Sequence, residues 1–362
     1  MNTTKNRAAA GRAVADVGAV EVIAPNFKRR LSGVTTTIIH LVPVQMRTLG
    51  IATVGPGLPD TLPKLRFGQL FGLLKRPKKR PFRIWHARRN PEMLAGIVLR
   101  DVLRAPVKLL FTSAAQRDHK PYTKWLIRRM DAVIATSSRS GGFLEVPHTV
   151  VMHGIELGQF RPPATADDDF AAAGLRGRYA VGCFGRIRHQ KGTDLFVDAM
   201  IALLPQFPDW TAVVTGRVTP EHRGFADELK KKVDAAGLSD RIVFLGEVPD
   251  VKVWYRRVSL YVAPSRNEGF GLTPLEAMAS RTPVVASNAG AYAELIVPGR
   301  TGAVVPAGDG NALREAIRPY LADPALARGH GEAGLADVIE RFPLEREANA
   351  IAKVYERMWA RG

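Results

Sequence analysis

Short apolar runs rich in Val, Ile and Leu recur along the whole chain, with helical segments between several of them. The runs are continuous rather than alternating in polarity, which is typical of strands buried on both faces of a parallel sheet. The predicted strands cover residues 20–24, 51–54, 83–85, 108–111, 132–135 and 149–152 in the first half, and 179–184, 211–215, 241–245, 260–263, 283–286 and 303–305 in the second. Helices are expected over stretches such as 192–204 and 220–236. This alternation predicts two doubly wound α/β domains.

The boundary between the two predicted domains falls near residues 160–169. Arg161-Pro162-Pro163 cannot continue a helix, and residues 164–169 are mostly small or acidic. The length of 362 residues is also more than one typical domain needs. We expect a first Rossmann-like domain over residues 1–161 and a second over residues 162–343. Residues 344–362 have apolar side chains at helical spacing, so we expect a closing helix that packs back toward the first domain.

The net charge of +18 arises entirely in the first half of the chain. Residues 1–161 hold 27 Lys and Arg against 9 Asp and Glu, whereas residues 162–362 hold 25 of each kind. Such asymmetry indicates an anionic partner for the first half, and a membrane, a nucleic acid or a phosphorylated substrate would fit. No helix-turn-helix, zinc-finger or RNA-recognition signature accompanies the charge, so nucleic acid is the least favoured of the three and is not expected.

Composition excludes several other classes of protein. With 46% hydrophobic and 24% charged residues the chain has an ordinary globular balance, unlike disordered, collagen-like or coiled-coil sequences. Cys183 is the only cysteine, which excludes an intramolecular disulfide or a CxxC site and suits a reducing cytosol. The sequence has no run of 18 apolar residues, so no transmembrane helix is expected. Residues 1–16 are basic without an apolar core, so a frayed extension is expected there rather than a Sec signal.

The first motif with chemical meaning runs from Gly185 to Gly192, after one predicted strand and at the start of a helix. Backbone amides at a helix N-terminus favour anions, yet Arg186, Arg188 and Lys191 crowd that positive end. A bound diphosphate would resolve this conflict. The alternative is a solvated basic loop, and the motif alone does not decide between them.

The second motif runs from Pro264 to Met278, after the predicted strand 260–263. Glu268 lies beside a Gly-Phe-Gly turn that lets backbone approach a ligand closely, and Glu276 lies eight residues further on. Ligands of open α/β sheets bind at this carboxyl edge. The alternative for Glu276 is a capping box, with Thr273 as the N-cap and Pro274 as the first helical residue.

Together these motifs resemble the retaining nucleotide-sugar glycosyltransferases of family 4, which have the GT-B fold. Further elements of the resemblance are Ala286-Ser-Asn-Ala-Gly290 followed by Glu294, and Val151-Met-His-Gly154 followed by Phe160-Arg-Pro162. The resemblance covers nearly all of the second half and, more loosely, the first. It implies two Rossmann-like domains that face a deep cleft, the first for the acceptor and the second for a nucleotide-sugar donor.

The resemblance also implies roles for individual residues. Arg186 and Lys191 are expected to hold the diphosphate and neutralise the departing nucleotide, Glu276 to bind the ribose hydroxyls, and Glu268 to contact the donor sugar. Preorganised cations at a leaving group lower the barrier as charge grows there, so no metal cofactor is expected. Asp167-Asp168-Asp169 is interpreted as linker rather than as a metal ligand. The remaining donor contacts are expected at Gly185, Val248, Gly269, Phe270, Gly271 and Leu272.

The first half departs from the family pattern. The usual glycine pair after the first strand is reduced to Ser32-Gly33, which still suits a loop that touches donor phosphate or acceptor. Phe111 stands where the family often has a histidine near the sugar. His86 and His119 are the two candidates to replace that histidine, and either one could equally be structural.

Residues 61–91 contain ten Lys or Arg and no Asp or Glu. Four apolar residues at i, i+3, i+4, i+7 spacing precede a basic run, which is the signature of a helix lying on an anionic membrane. The predicted membrane set is Phe67, Leu70, Phe71, Leu74, Lys75, Arg76, Lys78, Lys79 and Arg80. The alternative is a core helix followed by a basic loop.

The amino-acid sequence of the first half resembles that of lipopolysaccharide core mannosyltransferases of alphaproteobacteria, for example over residues 25–35, 84–90 and 134–137. This resemblance implies GDP-mannose as donor, a lipid-linked, anionic, Kdo-bearing inner core as acceptor, and a peripheral position on the inner face of the cytoplasmic membrane. The alternatives are a GT-B enzyme that uses a UDP-sugar on another glycolipid or a soluble acceptor, a UDP-sugar epimerase of the same architecture, and a basic nucleic-acid-binding protein.

Overall fold

The computed structural model describes residues 15–29 and 33–361. Most of the expected N-terminal extension, and Ser32 in the predicted phosphate or acceptor loop, therefore lie outside the described residues. Within the described ranges no helix is both long enough and apolar enough to cross a membrane.

A six-stranded parallel sheet forms the centre of the first half, in the order β2-β1-β3-β4-β5-β6. Its strands are β1 (Val22–Pro25), β2 (Ile51–Val54), β3 (Arg83–Ala87), β4 (Val107–Ser113), β5 (Ala132–Ala135) and β6 (Thr149–Val150). Its helices are α1 (Gly33–Gln45), α2 (Asn90–Ile97), α3 (Pro121–Ile127) and α4 (Ser138–Gly141). A 3-10 helix at Phe67–Leu74 precedes β3, and a π-helical turn at Val98–Val102 continues α2.

A second parallel sheet, in the order β12-β11-β10-β7-β8-β9, forms the centre of the second half. Its strands are β7 (Tyr179–Phe184), β8 (Trp210–Thr215), β9 (Ile242–Gly246), β10 (Leu260–Ala263), β11 (Val284–Ser287) and β12 (Gly302–Val305). The helices of this half are α5 (Thr193–Leu203), α6 (Arg223–Ala235), α7 (Val251–Arg257), α8 (Thr273–Ala279), α9 (Tyr292–Leu295), α10 (Gly310–Ala322) and α11 (Pro324–Arg341). Strands such as β8, β10 and β11 are buried at every residue, as continuous apolar runs require.

The last helix, α12 (Leu344–Ala360), returns to the first half. Leu344, Tyr355 and Trp359 are buried in the same apolar cluster as Val22 and Leu110 of the first sheet. The chain thus crosses between the halves twice, once after β6 and once before α12. The division at residues 161/162 and 343/344 remains our proposal for the domain boundaries.

Predicted and observed elements differ mainly at their ends. Val20 closes a 3-10 turn through a bond from its amide to Val17 O, so β1 begins at Val22 rather than at residue 20. β6 ends at Val150 because the following residues leave the sheet to cross to the second half, where Ile155 pairs with Pro343. The predicted helix 220–236 opens with a separate 3-10 turn, Pro220–His222.

Candidate active site

Three loops of the second half meet at the carboxyl edge of its sheet. They follow β7, β10 and β11, which are neighbours in the sheet, so residues 185–192, 264–272 and 288–291 lie together. Gly185, Arg186 and Lys191 from the first loop line one depression with Ser265 and Tyr292. The sequence prediction placed the first two loops at one edge, and the structure brings them into contact.

Lys191 and Glu268 form an ion pair between the first two loops. Their side chains are only 22% and 19% exposed, so solvent screens the pair less than it would screen a surface pair. Glu268 also accepts hydrogen bonds from the Gly269 amide at 3.2 Å and from the Tyr292 hydroxyl at 3.4 Å. The two residues predicted to carry the leaving group and the donor sugar are therefore direct neighbours, whereas Arg186 is exposed beside them.

Close approach of backbone segments holds these loops together. Gly192 has a φ of 71°, and a Cβ there would stand 2.0 Å from the Pro264 carbonyl oxygen, so only glycine allows the two loops to dock. Gly271 has a φ of 86° and faces the ring of Tyr292. The Phe270 carbonyl accepts the Ala291 amide at 3.0 Å, which ties the third loop to the second.

The structure overturns the capping-box alternative for Glu276. Helix α8 has Leu272 as its N-cap with no side-chain cap bond, so the helix begins at Thr273, one residue earlier than predicted. Glu276 instead accepts a hydrogen bond from the Tyr255 hydroxyl at 2.7 Å. Burial raises the pKa of the Glu276 carboxyl, and the Tyr255 bond and the charge of Lys191 oppose that shift.

A cavity of about 320 Å³ lies between the two halves and has Glu276 in its wall. The second half contributes Val248, Asp250 and Leu272 to the lining, and the chain crossing contributes Ile155, Glu156 and Gln159. The first half contributes Thr36, Thr37 and His40 of α1, none of which was predicted. A local pattern could not have revealed them, because they reach the cavity only through the packing of the halves.

His86 had two interpretations, a possible substrate contact and a structural role, and the structure favours the structural role. His86 is 1% exposed, and its two ring nitrogens lie 2.7 Å from the Tyr355 hydroxyl and 2.7 Å from the Thr112 hydroxyl. Both polar atoms are thus satisfied inside the protein, so His86 joins the first sheet to α12. Gly33 begins α1, and a Cβ there would meet nothing within 4 Å, so no close approach requires glycine.

Phe111, His119 and His153 differ in how near they lie to the donor loops. Phe111 is buried in the core of the first half. His119 is half-buried, with Nε2 3.4 Å from the Ser113 hydroxyl at the end of β4. His153, which the sequence analysis did not single out, packs edge-on against Phe270 with ring centroids 4.9 Å apart. Its position in the Met152-His153-Gly154-Ile155 stretch after β6 is the sequence feature that could have identified it.

The apolar part of the basic segment is exposed. Phe67 is 86% and Phe71 78% exposed, Leu74 is also exposed, and Leu70 is half-buried. The segment is a 3-10 helix rather than the α-helix implied by the i, i+3, i+4, i+7 spacing, and Leu73 holds it to the core. The alternative of a core helix is therefore wrong for both phenylalanines.

Three cations of the segment have partners within the protein. Arg80 binds Glu21 and Glu356 and lies 4.0 Å over the ring of Trp359, which corrects its assignment to a membrane surface. Lys78 pairs with Asp16 at 2.9 Å. Arg83 is fully buried and donates to the Val17, Leu73 and Lys75 carbonyls. Arg66, Lys75, Arg76 and Lys79 are exposed, with no ion-pair partner among the described residues.

Asp168 has a structural role, in accord with its interpretation as linker. It is 3% exposed, pairs with Arg161 and Arg256, and accepts the Ala164 amide. Among residues 15–29 and 33–361 no group of three or more His, Cys, Asp or Glu could hold a metal ion.

Two doubly wound parallel sheets, with loops of the second converging on a cleft between them, define the GT-B class of glycosyltransferases, and the predicted fold is confirmed. The chain belongs to the group 1 glycosyltransferases. The family model described as "Glycosyl transferases group 1" matches residues 178–323. The chain is 69% identical over 95% of its length, and 98% of the relative's, to the lipopolysaccharide core biosynthesis mannosyltransferase LpcC of Rhizobium leguminosarum bv. viciae.

A second relative and a solved structure agree with this placement. The lipopolysaccharide core biosynthesis mannosyltransferase LpsB of Rhizobium meliloti is 56% identical over 95% of this chain and 99% of its own. The crystal structure of Anabaena HepE in complex with UDP superposes with a TM-score of 0.80 and 20% identity, covering 93% of this chain and 100% of HepE. At that identity the likeness concerns the fold alone.

Proposed function

We propose that this glycosyltransferase moves mannose from GDP-mannose onto the Kdo region of the lipopolysaccharide inner core, with retention of configuration. The observation that carries the proposal is the 69% identity, over nearly the full length of both chains, to a lipopolysaccharide core mannosyltransferase. The loops at the carboxyl edge of the second sheet support it, because they bring cations and acids together where a nucleotide-sugar would lie.

The diphosphate of the donor is assigned to Gly185, Arg186 and Lys191. Arg186 is exposed and available, and Lys191 is already held in place by Glu268. Negative charge grows on the diphosphate as the sugar departs, so two cations at this position stabilise the transition state more than the ground state. They supply the positive charge that a metal ion would otherwise provide, and we propose a metal-independent reaction.

The donor sugar and ribose are assigned to the two glutamates. Glu268 stands beside the depression that Lys191 lines, where its carboxylate can accept sugar hydroxyls. Gly269, Phe270, Gly271 and Leu272 would offer backbone amides to sugar and phosphate. Glu276 lies in the wall of the 320 Å³ cavity, with one oxygen bound by Tyr255 and lone pairs left for ribose hydroxyls.

The base is assigned to the part of this cavity formed by Val248 and its neighbours. Asp250 and Glu156 are both in its wall. Carboxylates only accept hydrogen bonds, and guanine presents N–H donors at N1 and N2 whereas uracil presents one at N3. This donor–acceptor match supports a GDP-sugar over a UDP-sugar.

A docking face for an anionic membrane is proposed on the first half. Of the 13 large apolar side chains exposed among the described residues, nine lie between residues 67 and 125. They are Phe67, Phe71, Leu74, Leu94, Val98, Val102, Leu103, Tyr122 and Trp125. Monomeric soluble proteins seldom expose so many apolar groups on one layer, and such patches mark interaction surfaces.

These nine side chains belong to elements that cover one side of the first sheet. The 3-10 helix, α2 and α3 all send buried residues, Leu73, Met93 and Leu126 among them, into a single apolar cluster on that side. Their outer surface carries the exposed cations Arg66, Lys75, Arg76 and Lys79 beside the apolar groups. An apolar surface with a basic border fits the inner face of the cytoplasmic membrane, where a lipid-linked acceptor would present its sugars.

The test is a donor screen that follows nucleotide release from GDP-, UDP- and ADP-sugars, each with and without a Kdo-bearing inner-core acceptor. We expect release to be fastest from GDP-mannose, to require the acceptor, and to give a product linkage with the donor's anomeric configuration. Faster release from a UDP-sugar would contradict the donor assignment. Equal release without the acceptor would contradict the assigned acceptor.

A further inference from the structure

The two chain crossings between the halves are joined to each other. The Ile155 amide donates to Phe342 O at 2.8 Å, and the Leu344 amide donates to Ile155 O at 3.1 Å. Gly154 packs on the second crossing so closely that a Cβ there would stand 2.7 Å from Leu344 Cα. The junction is therefore a short two-stranded element that both halves share.

Glu347, in the first turn of α12, binds this junction with both carboxylate oxygens. Oε1 lies 2.7 Å from His153 Nδ1, and Oε2 accepts the Gly154 amide at 2.8 Å. The side chains of Glu347 and His153 are only 4% and 12% exposed. Because an ionised carboxylate only accepts hydrogen bonds, Nδ1 of His153 carries the hydrogen, and this contact sets the orientation of the ring.

The ring of His153 in turn contacts the loop between β10 and α8. It lies edge-on to Phe270, with ring centroids 4.9 Å apart and an interplanar angle of 79°. Phe270 is 5% exposed, and it is the central residue of the Gly269-Phe270-Gly271 turn. A ring that packs against one face of Phe270 restricts the conformations open to both flanking glycines.

We propose that His153 is a positioning residue for transfer: held by Glu347, it fixes Phe270 and thereby the backbone amides of residues 269–272 that receive the donor. The identity of the ligand that this loop receives rests on the function proposed above. The contact also links the donor loop to the junction between the halves. Neither His153 nor Glu347 is expected to touch the reacting atoms.

The test is a double-mutant cycle between His153 and Phe270, read out as kcat/KM for the donor and as the melting temperature. His153→Asn keeps an N–H donor for Glu347 but removes the ring from Phe270. We expect His153→Asn to lower kcat/KM by about tenfold at a nearly unchanged melting temperature, and to have little further effect in a Phe270→Ala background. His153→Phe, which keeps a ring but loses the bond to Glu347, should lower the melting temperature instead.

Glu345→Gln is the matched control, because Glu345 lies two residues from Glu347 in the same turn but is exposed, 4.0 Å from Arg47. We expect it to leave both readouts at the wild-type value. Normal kcat/KM in His153→Asn would overturn the proposal, as would a loss of equal size in the Phe270→Ala background. The cycle uses whichever donor the wild-type enzyme turns over, so a failure of the GDP-mannose assignment in the donor screen stays distinguishable from a failure here.

Discussion

At the scale of single residues, the ion pair between Lys191 and Glu268 is the feature on which the proposed chemistry depends most directly. The two residues are 77 positions apart and meet because β7 and β10 are adjacent strands. A fixed ammonium beside the departing diphosphate needs no reorganisation during the reaction, which is the condition under which electrostatic stabilisation is strongest. Glu268 keeps that ammonium in place before the donor arrives.

We predict that Lys191→Ala and Glu268→Ala each lower kcat about a hundredfold, which corresponds to a loss of about 3 kcal/mol at the leaving group or the donor sugar. Each change also leaves its partner unpaired at about one-fifth exposure, so the melting temperature should be recorded beside the rate. Lys230→Ala on exposed α6 is the matched control and should turn over normally. Near-normal turnover in a folded Lys191 or Glu268 variant would refute the assignment.

Glu276→Gln separates a structural role from a ribose contact. Glutamine can still accept the bond from Tyr255, so the melting temperature should stay close to that of the wild type. Hydrogen bonds to a charged acceptor are about twice as strong as neutral ones, so GDP affinity should fall about tenfold in calorimetric titrations. Tyr255→Phe removes the neighbouring hydroxyl but keeps the carboxylate, and we expect a smaller loss of affinity. Unchanged GDP binding by Glu276→Gln would show that the residue acts only in packing.

At the scale of elements, the 3-10 helix Phe67–Leu74 combines a buried anchor with exposed apolar side chains. Leu73 is fully buried and anchors the segment, while Phe67 and Phe71 extend into solvent. Its Arg66 amide is bound by the Gln69 side chain at 2.8 Å, which stabilises the first turn. The exposed apolar groups are therefore presented by an ordered element.

We predict that Lys75→Gln, Arg76→Gln and Lys79→Gln together release the protein from anionic vesicles in a sedimentation assay. Each cation near an anionic surface contributes about 1 kcal/mol, so three account for most of a reversible attachment. Arg80 is left unchanged because its ion pairs with Glu21 and Glu356 join the first half to α12, and Lys78 because Asp16 already offsets its charge at the surface.

The matched control removes the same charge from the second half, through Arg223→Gln, Lys230→Gln and Lys231→Gln on exposed positions of α6. It should sediment with vesicles like the wild type, and competing DNA should displace neither protein. Unchanged binding by the 75/76/79 variant would mean that the basic run is only a solvated loop. Loss of activity on a short delipidated acceptor would instead assign those cations to the acceptor itself.

At the scale of the whole molecule, α12 makes the stability of the first half depend on the end of the chain. Tyr355 of α12 reaches the buried His86 of β3, and Trp359 donates to Phe82 O at 3.1 Å. Burial, with a smaller contribution from the positive charge of Arg88, lowers the pKa of His86 well below its usual value. The folded protein thus holds this imidazole in its neutral form.

This pKa shift predicts a dependence of stability on pH. Below about pH 6.5 the unfolded chain takes up a proton on His86 that the folded chain resists, so the free energy of unfolding should fall as the pH decreases from 7 toward 5. In His86→Gln the fall over this range should be shallower, as measured by urea unfolding at several pH values. His148→Gln, at an exposed position, is the control and should follow the wild-type slope. Equal slopes for all three proteins would contradict the prediction.

The architecture and the main donor loops were accessible from the sequence. The bounds of β2, β5, β7 and β10 agree with the prediction, because a continuous apolar run between turn residues is a local pattern that two-sided burial imposes directly. The loops after β7 and β10 were also identified, since Gly185, Gly192 and Gly271 occupy backbone conformations that favour glycine. The placement of these loops at one sheet edge followed from the alternation of strands and helices, because the carboxyl ends of parallel strands lie at the same edge.

Only the tertiary structure decided which side chains meet. His86 pairs with Tyr355 across 269 positions and Arg80 with Glu356 across 276, so two residues predicted to face a substrate or a membrane prove to hold α12 in place. Glu276 accepts a hydrogen bond from Tyr255 instead of capping a helix, and His153 is hydrogen-bonded to Glu347 and packs against Phe270. The physical reason is that backbone conformation depends on neighbours along the chain, whereas burial and charge pairing depend on how separate elements pack. Backbone conformation can therefore be predicted from the sequence alone. Burial and charge pairing are decided only when the two halves and α12 are in contact.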